Sequence, residues 1–358
     1  MLWFDAHLDL AYLAVNGRDL AQAVGPETGP HAPAAVSLPD LAAANVRLAL
    51  ATIFTEAGGS GPEGYPPEDA ARARAAGRAQ LEVYLTLRDR GLVALDLAGS
   101  LRAEPGLGEL RGGLGVAEVV PAPLERRIGA WPRQPAIRLG ILLENADPVA
   151  SPGDLSWWVA RGVVAVGMAW VRASRYAGGN GTALGLSTLG RELAREMDRL
   201  GVVHDLAHLS DRALADLLAE TPARVIASHS NCRALLGDPE NQRHLTDETI
   251  REVARRGGVV GLNLYSKFLR AARGGGGRAR LDDCVRHIEH VCELAGHRRA
   301  VGLGSDMDGG LSAADLPEGI NGPRGLMRLA EALERRGWSE RDVEGFAWRN
   351  WAGFWAGR

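Results

Sequence analysis

In the stretch GVVHDLAHLSDRALADLLAETPARVIASHS, from Gly201 to Ser230, two histidines follow two apolar runs. His208 comes after the run Val202 to Ala207, and His229 after the run Arg224 to Ser228, with an amphipathic helix through about Leu218 between them. Two imidazoles at the carboxyl ends of neighbouring parallel strands stand where open sheets and barrels bind ligands. Either histidine alone is explained equally well as a strand end with a satisfied hydrogen bond. The pair favours a metal, and carboxylates at other strand ends add to it. His7 and Asp9 of DAHLD alternate along an extended segment and so face one way. Glu144 directly follows AIRLGILL, and Asp306 follows AVGLGS; a charge at a partly desolvated mouth needs a reason.

Mixed imidazole and carboxylate donors suit zinc, with manganese, iron or cobalt as lesser alternatives. Six donors fit two ions better than one: His7, Asp9 and Asp306 on the first, His208 and His229 on the second, with Glu144 bridging. A carbamylated lysine is not the expected bridge, because Lys267 is the only lysine in the chain. Two such ions supply hydroxide at neutral pH and polarise a carbonyl, the chemistry of hydrolysing an unactivated amide. Asp306 beside them would take the proton and pass it to the leaving amine.

The elements that must position these groups read as an α/β fold, a (β/α)8 TIM-like barrel with the metal site at the carboxyl ends of the strands. The expected strands are Leu2 to Phe4, Val46 to Phe54, Ala136 to Leu143, Val163 to Trp170, the two already described, Gly258 to Tyr265 and Ala300 to Gly304. Helices are expected over Glu68 to Arg90, Leu186 to Leu200 with Ser187 as cap, Thr246 to Arg256 and Leu281 to Ala295. His204, four residues before His208, is expected to face the same way but deeper, in packing or in support of the ligands. Residues 1–358 are expected to form one domain, with an irregular excursion around 91–135 and closing helices after 323 that carry Trp338, Trp348, Trp351 and Trp355. The glycine loop Arg273 to Arg278 lacks the lysine and hydroxyl of a phosphate loop and reads as a link.

Composition narrows the classes. With 46% hydrophobic and 24% charged residues the chain of 358 can bury a large core, and a net charge of -3 gives no reason to expect nucleic acid or an anionic membrane as partner. Cys232, Cys284 and Cys292 match no metal or redox spacing and suggest a reducing, cytoplasmic setting. No apolar run is long enough to span a bilayer, and the first residues do not read as a signal peptide.

The chain resembles the membrane (renal) dipeptidases, zinc peptidases of the amidohydrolase superfamily. The resemblance rests on DAHLD, LLEN, GLSTLGRELAREMDRLGVVHDLAHLS, VIASHSNCRAL, QRHLTDE and VGLGSDMDG and runs nearly end to end. It implies a (β/α)8 barrel in which His7, Asp9, Glu144, His208 and His229 bind two zinc ions and Asp306 acts at the attacking water. It also implies that Arg243, which composition alone would leave as a surface arginine, holds the carboxylate of a dipeptide-like small substrate. One position departs. Where the family's fourth strand ends in Thr-His, this chain has Ala169 and Trp170, so the family's charged donor to the developing oxyanion is replaced by a larger, neutral one. Two other readings therefore stand beside the dipeptidase: a hydrolase of a different small amide or lactone, and a metal-binding protein without turnover. The resemblance leaves room for a homodimer.

Overall fold

The computed structural model describes residues 1–97, 137–271 and 277–357. Eight parallel strands form the frame: β1 (Trp3–Leu8), β2 (Val46–Ile53), β3 (Ile137–Leu143), β4 (Val163–Gly167), β5 (Val203–Asp205), β6 (Val225–Ile226), β7 (Val260–Leu262) and β8 (Val301–Leu303). They pair in sequence order, and β8 returns to β1 through Asp5 opposite Leu303. The remaining gap, between β6 and β7, is closed by one parallel bridge, Ala227 to Val260, with Gly261 N donating to Ala227 O at 2.8 Å. The result is a nearly closed (β/α)8 barrel. β2 and β3 carry almost unbroken apolar runs because helices cover one face and the barrel interior covers the other; they pair over six residues, Leu48 with Arg138 through Ile53 with Leu143.

Helices follow most strands, and their starts were legible. Ser187 Oγ accepts from Gly190 N at 3.0 Å ahead of Thr188–Leu200, Ser210 Oγ from Ala213 N at 3.0 Å ahead of Asp211–Glu220, and Thr246 Oγ1 from Thr249 N at 3.2 Å ahead of Asp247–Arg255. Each such cap satisfies an otherwise orphaned amide and is worth roughly 1 kcal/mol. The helix Ala70–Asp89 fills the space between β2 and β3, and Leu281–Ala295 runs as expected. The Gly/Pro-rich segment before Ala70 contains a small parallel pair, Glu56–Ala57 with Gly64–Tyr65. Most of the expected excursion around 91–135 lies outside the described residues; before them, Val93–Ala94 pairs with the start of β3.

The closing tryptophans do pack. Trp351 donates from Nε1 to Leu303 O at 2.9 Å and stacks on Phe4 with centroids 5.9 Å apart. Gly302 makes this approach feasible, since a Cβ there would lie 2.3 Å from Trp351 Nε1. Truncating Trp351 to alanine would cost about 3–5 kcal/mol, because the indole seals the barrel beside β1 and β8. Among the described residues no helix is long and apolar enough to cross a membrane.

Candidate metal centre

The short strands deliver the six side chains singled out from the sequence to one buried cluster at the barrel's carboxyl-terminal mouth. His7 comes from β1 and Asp9 from just after it; Glu144 follows β3, His208 β5, His229 β6 and Asp306 β8. Glu144 sits at the middle. Its Oε2 lies 3.4 Å from His7 Nε2, while its Oε1 lies 3.2 Å from His208 Nε2 and 3.3 Å from His229 Nε2. His7 Nε2 is also 3.6 Å from Asp9 Oδ2. Three overlapping sets, His7 with Asp9 and Glu144, Glu144 with His208 and His229, and His7 with His229 and Asp306, each hold their ligand atoms within 4.8 Å of one another.

The neighbours decide which ring nitrogen faces inward. Ser228 Oγ donates to Asp205 Oδ2 at 2.5 Å, so its lone pairs are free to accept from His229 Nδ1 at 2.8 Å and, more weakly, from His7 Nδ1 at 3.4 Å. Asn180 Oδ1 can only accept, which puts a proton on His208 Nδ1, 3.1 Å away. The rings of His208 and His229 then turn bare Nε2 lone pairs toward Glu144, only 3.0 Å apart, while His7 Nε2, buried without a hydrogen-bond partner, faces Glu144 and Asp9 and would give up its proton to a bound cation. Converging lone pairs beside three carboxylates repel one another unless cations lie between them, and imidazole plus carboxylate is a donor set for divalent transition metals. Space is kept for this at Gly309, where a Cβ would lie 1.9 Å from Asp306 Oδ1 and 2.6 Å from Asp9 Oδ2. His208 and Asp306 both adopt left-handed backbone, with φ of 64° and 59°, a cost of roughly 1–2 kcal/mol each for residues with a Cβ. Such strain collects at functional sites.

Protonation without metal follows the crowding. Burial pushes Asp306 up to about 7, with Asp9 and Glu144 adding to it. Burial also pushes His208 down to about 4 and His229 well below the usual histidine range. Burial opposes the charges on both His7 and Glu144, yet their mutual attraction prevails. His7 is raised well above and Glu144 held well below its ordinary value.

The centre opens into a cavity of about 400 Å³. Arg243 lines it and is buried, donating from Nη2 to His229 O at 2.8 Å and from Nη1 to Ser230 Oγ at 3.3 Å, with Nε unpartnered. Trp170 lines the same cavity, edge-on to Phe54 at 4.9 Å and 5.9 Å from the His208 ring. His204 corrects the sequence reading. It does not share a face with His208; its Nε2 reaches Asp198 of Thr188–Leu200 at 2.8 Å. β5 ends at Asp205, and the turn that puts His208 at positive φ breaks the two-residue alternation. Sequence reasoning missed the supports: Ser228, Asp205 and Asn180, Thr52 donating to Asp9, and Asn263 Nδ2 donating to Asp306 Oδ2 at 2.7 Å. It also missed the buried pair of Arg18 with Asp308, whose carboxylate further accepts from Val36 N at 2.8 Å and fixes the turn carrying Asp306.

Comparison with known proteins agrees with this architecture. A stretch of 206 residues is 34% identical to an uncharacterized protein in the pqqA 5' region of Klebsiella pneumoniae, covering 55% of this chain and 73% of that one. An uncharacterized dipeptidase of Schizosaccharomyces pombe is 37% identical over 165 residues, covering 45% of this chain and 37% of that protein's length. Among solved structures, a dipeptidase described as a metallopeptidase of family M19 superposes with a TM-score of 0.79 at 22% identity, over 100% of this chain and 99% of the other. A metallopeptidase from Rhodobacter sphaeroides, liganded with a phosphinate mimic of the dipeptide L-Ala-D-Ala, gives 0.78 at 21% identity, over 99% and 98%. The profile of the membrane dipeptidases, peptidase family M19, matches residues 131–356, and the chain belongs to that family of metal-dependent dipeptidase-type hydrolases.

Proposed function

We propose that the protein is a binuclear zinc dipeptidase. The observation that carries this reading is the split of Glu144, one oxygen facing His7 and the other facing His208 and His229. It suits a carboxylate shared between an ion on His7, Asp9 and Asp306 and an ion on His208 and His229. When bound, two zinc ions supply a nucleophile at neutral pH and polarise the scissile carbonyl. The chain's own groups do the rest. Asn263 holds Asp306 by Oδ2, leaving Oδ1 toward the cluster to accept a proton and return it to the leaving amine. Arg243, already fixed on His229 O, presents a buried guanidinium to the substrate's terminal carboxylate, and Tyr265 and Phe268 beside it reduce water access. None of the three cysteines is in a disulfide, and a cytoplasmic location is part of this reading.

Trp170 favours a second reading, hydrolysis of another small carboxylate-bearing amide or lactone, because an indole narrows the mouth where the family resemblance expects a histidine. Elemental analysis after zinc loading, with turnover of L,L- and L,D-dipeptides beside Asp306→Asn, tests both. Two equivalents of zinc and hydrolysis lost in the variant are expected. At most one equivalent after reconstitution, or no dipeptide turned over, overturns the dipeptidase assignment.

A further inference from the structure

The same cavity carries a second charged wall. Glu56 and Glu63 line it together with Tyr12, Phe54 and Trp170. Both carboxylates follow β2, while Arg243 follows β6; in a ring of eight these positions are diametrically opposed. Arg243 is a buried cation with an unpartnered Nε and no carboxylate bound to it among the described residues, so this cavity is built to receive an anion at that end. At the other end, Glu63 is buried and accepts one hydrogen bond, from Asn16 Nδ2 at 3.1 Å. Glu56 N donates to Glu63 O at 3.1 Å, which ties the two residues to one wall. Among the described residues no arginine, lysine or histidine forms an ion pair with either carboxylate. Arg172, whose guanidinium lies beside Gly58, forms none with them. Tyr12 senses both, its hydroxyl pushed up to about 12 by burial and then by Glu63, Asp9 and Glu56.

Between the cluster and this wall runs an aromatic face. Tyr12 meets Phe54 edge-on at 5.9 Å, and Phe54 meets Trp170 at 4.9 Å. An apolar stretch that ends in uncompensated carboxylates matches a long aliphatic stem with a positive head, which packs its methylenes on rings and keeps its charge among oxygens. On the reading in which Arg243 holds the substrate's carboxylate, the residue that extends toward Glu56 is the amino-terminal one. Its α-amino nitrogen is only two bonds from the scissile carbonyl carbon and stays at the cluster; a side chain is what can travel along the wall. We propose that the enzyme selects dipeptides whose amino-terminal residue is lysine or arginine, with Glu56 and Glu63 receiving the cationic head. This rests on the proposed dipeptidase function and gives Trp170 a task there, as part of the surface along which the stem lies.

The test uses the full, zinc-loaded chain with Lys-Ala, Arg-Ala and norleucine-Ala, norleucine keeping the stem and removing the charge. A KM ten- to a hundredfold lower for the cationic pair is expected. In Glu56→Gln combined with Glu63→Gln the ratio should fall to about one, and Glu63→Lys should shift preference toward Glu-Ala, a gain that misfolding does not produce. Equal KM values in the native enzyme, or a preference that survives the double substitution, overturn the proposal. So does equal hydrolysis of all three peptides with loss of binding on α-N-acetylation, which would assign the carboxylates to the α-amino group instead. Should no dipeptide be turned over, the dipeptidase reading fails, and calorimetric titration of the same peptides into the native protein reads the subsite directly. Tenfold tighter binding of Lys-Ala than norleucine-Ala supports the subsite, and equal affinities overturn it.

Discussion

Replacing Ser228 with alanine removes a single buried oxygen that is not itself a candidate ligand, yet it should weaken metal binding. The hydroxyl accepts from His229 Nδ1 at 2.8 Å and His7 Nδ1 at 3.4 Å and donates to Asp205 Oδ2 at 2.5 Å. Without it the two rings lose the partner that turns their Nε2 lone pairs inward, and Asp205 loses the donor on its Oδ2. Asp205 Oδ1 keeps Ser228 N at 2.8 Å and Ala207 N at 3.2 Å. Stranding one buried carboxylate oxygen costs about 1–3 kcal/mol of stability without metal. Losing the partner of a metal-binding histidine costs about ten- to a hundredfold in affinity, or about 1.4–2.7 kcal/mol. The two effects separate experimentally. Thermal unfolding in chelator reads the first, and competition with a chromophoric chelator for zinc at neutral pH reads the second. If the variant melts lower in chelator but binds zinc within twofold of the native protein, Ser228 only packs, and the assignment of inward-facing lone pairs is wrong.

Three further outcomes are expected. Trp170→His should raise kcat on Ala-Ala roughly ten- to a hundredfold with a smaller change in KM, since a restored donor acts chiefly in the transition state; a lower kcat on Ala-Ala in steady-state assays would refute the reading that a donor is missing at this position. Arg243→Ala should mainly raise KM for free dipeptides, while native protein spares their amidated counterparts, and equal rates on both forms would refute the clamp. Asp5, buried beneath the cluster, is pushed by burial from its usual 3.8 to about 6, so the folded protein keeps a proton that the unfolded chain gives up. The contribution of Asp5 to the stability of the metal-free protein therefore falls as pH rises from about 4 to 6, by up to about 3 kcal/mol, while His208, lowered to about 4 by burial, contributes in the opposite direction over the same window. Asp5→Asn keeps the acceptor for His7 N and Ser305 N, so in denaturant titrations the stability difference between native protein and variant should fall by that amount across the window; a difference that does not change with pH would refute it.

What the sequence disclosed follows from how locally each feature is encoded. A carboxylate or histidine after an apolar run announces itself, which is why Glu144, His208, His229 and Asp306 were legible without any partner in view. A hydroxyl or amide announces nothing: Ser228 and Asn180 act through neighbours brought close only by barrel closure, and Asn180 lies in a glycine-rich loop with no period to read. The strands were found, but those in the second half were read too long, because β5 to β8 pair over only two or three residues before their chains turn to present ligands. The facing of His204 was misread for the same reason, while its burial in packing was as expected. Nothing singles out Glu56 and Glu63 in the sequence, because their common wall depends on a two-residue parallel pair that no hydrophobic alternation marks.

Ring closure has a consequence for the order of assembly. β1 finds its second neighbour in β8, so Asp5 waits for Leu303 across almost the whole chain, and a contact of such sequence separation is among the slowest to form. During synthesis five of the six candidate ligands emerge well before the sixth. His7, Asp9, Glu144, His208 and His229 can gather on a partial ring, but Asp306 arrives only with the last strand, at the seam that completes it. On the proposed two-ion reading, capture of an ion by His7, Asp9 and Asp306 would wait for the last strand, whereas an ion on His208 and His229 would need only chain already made.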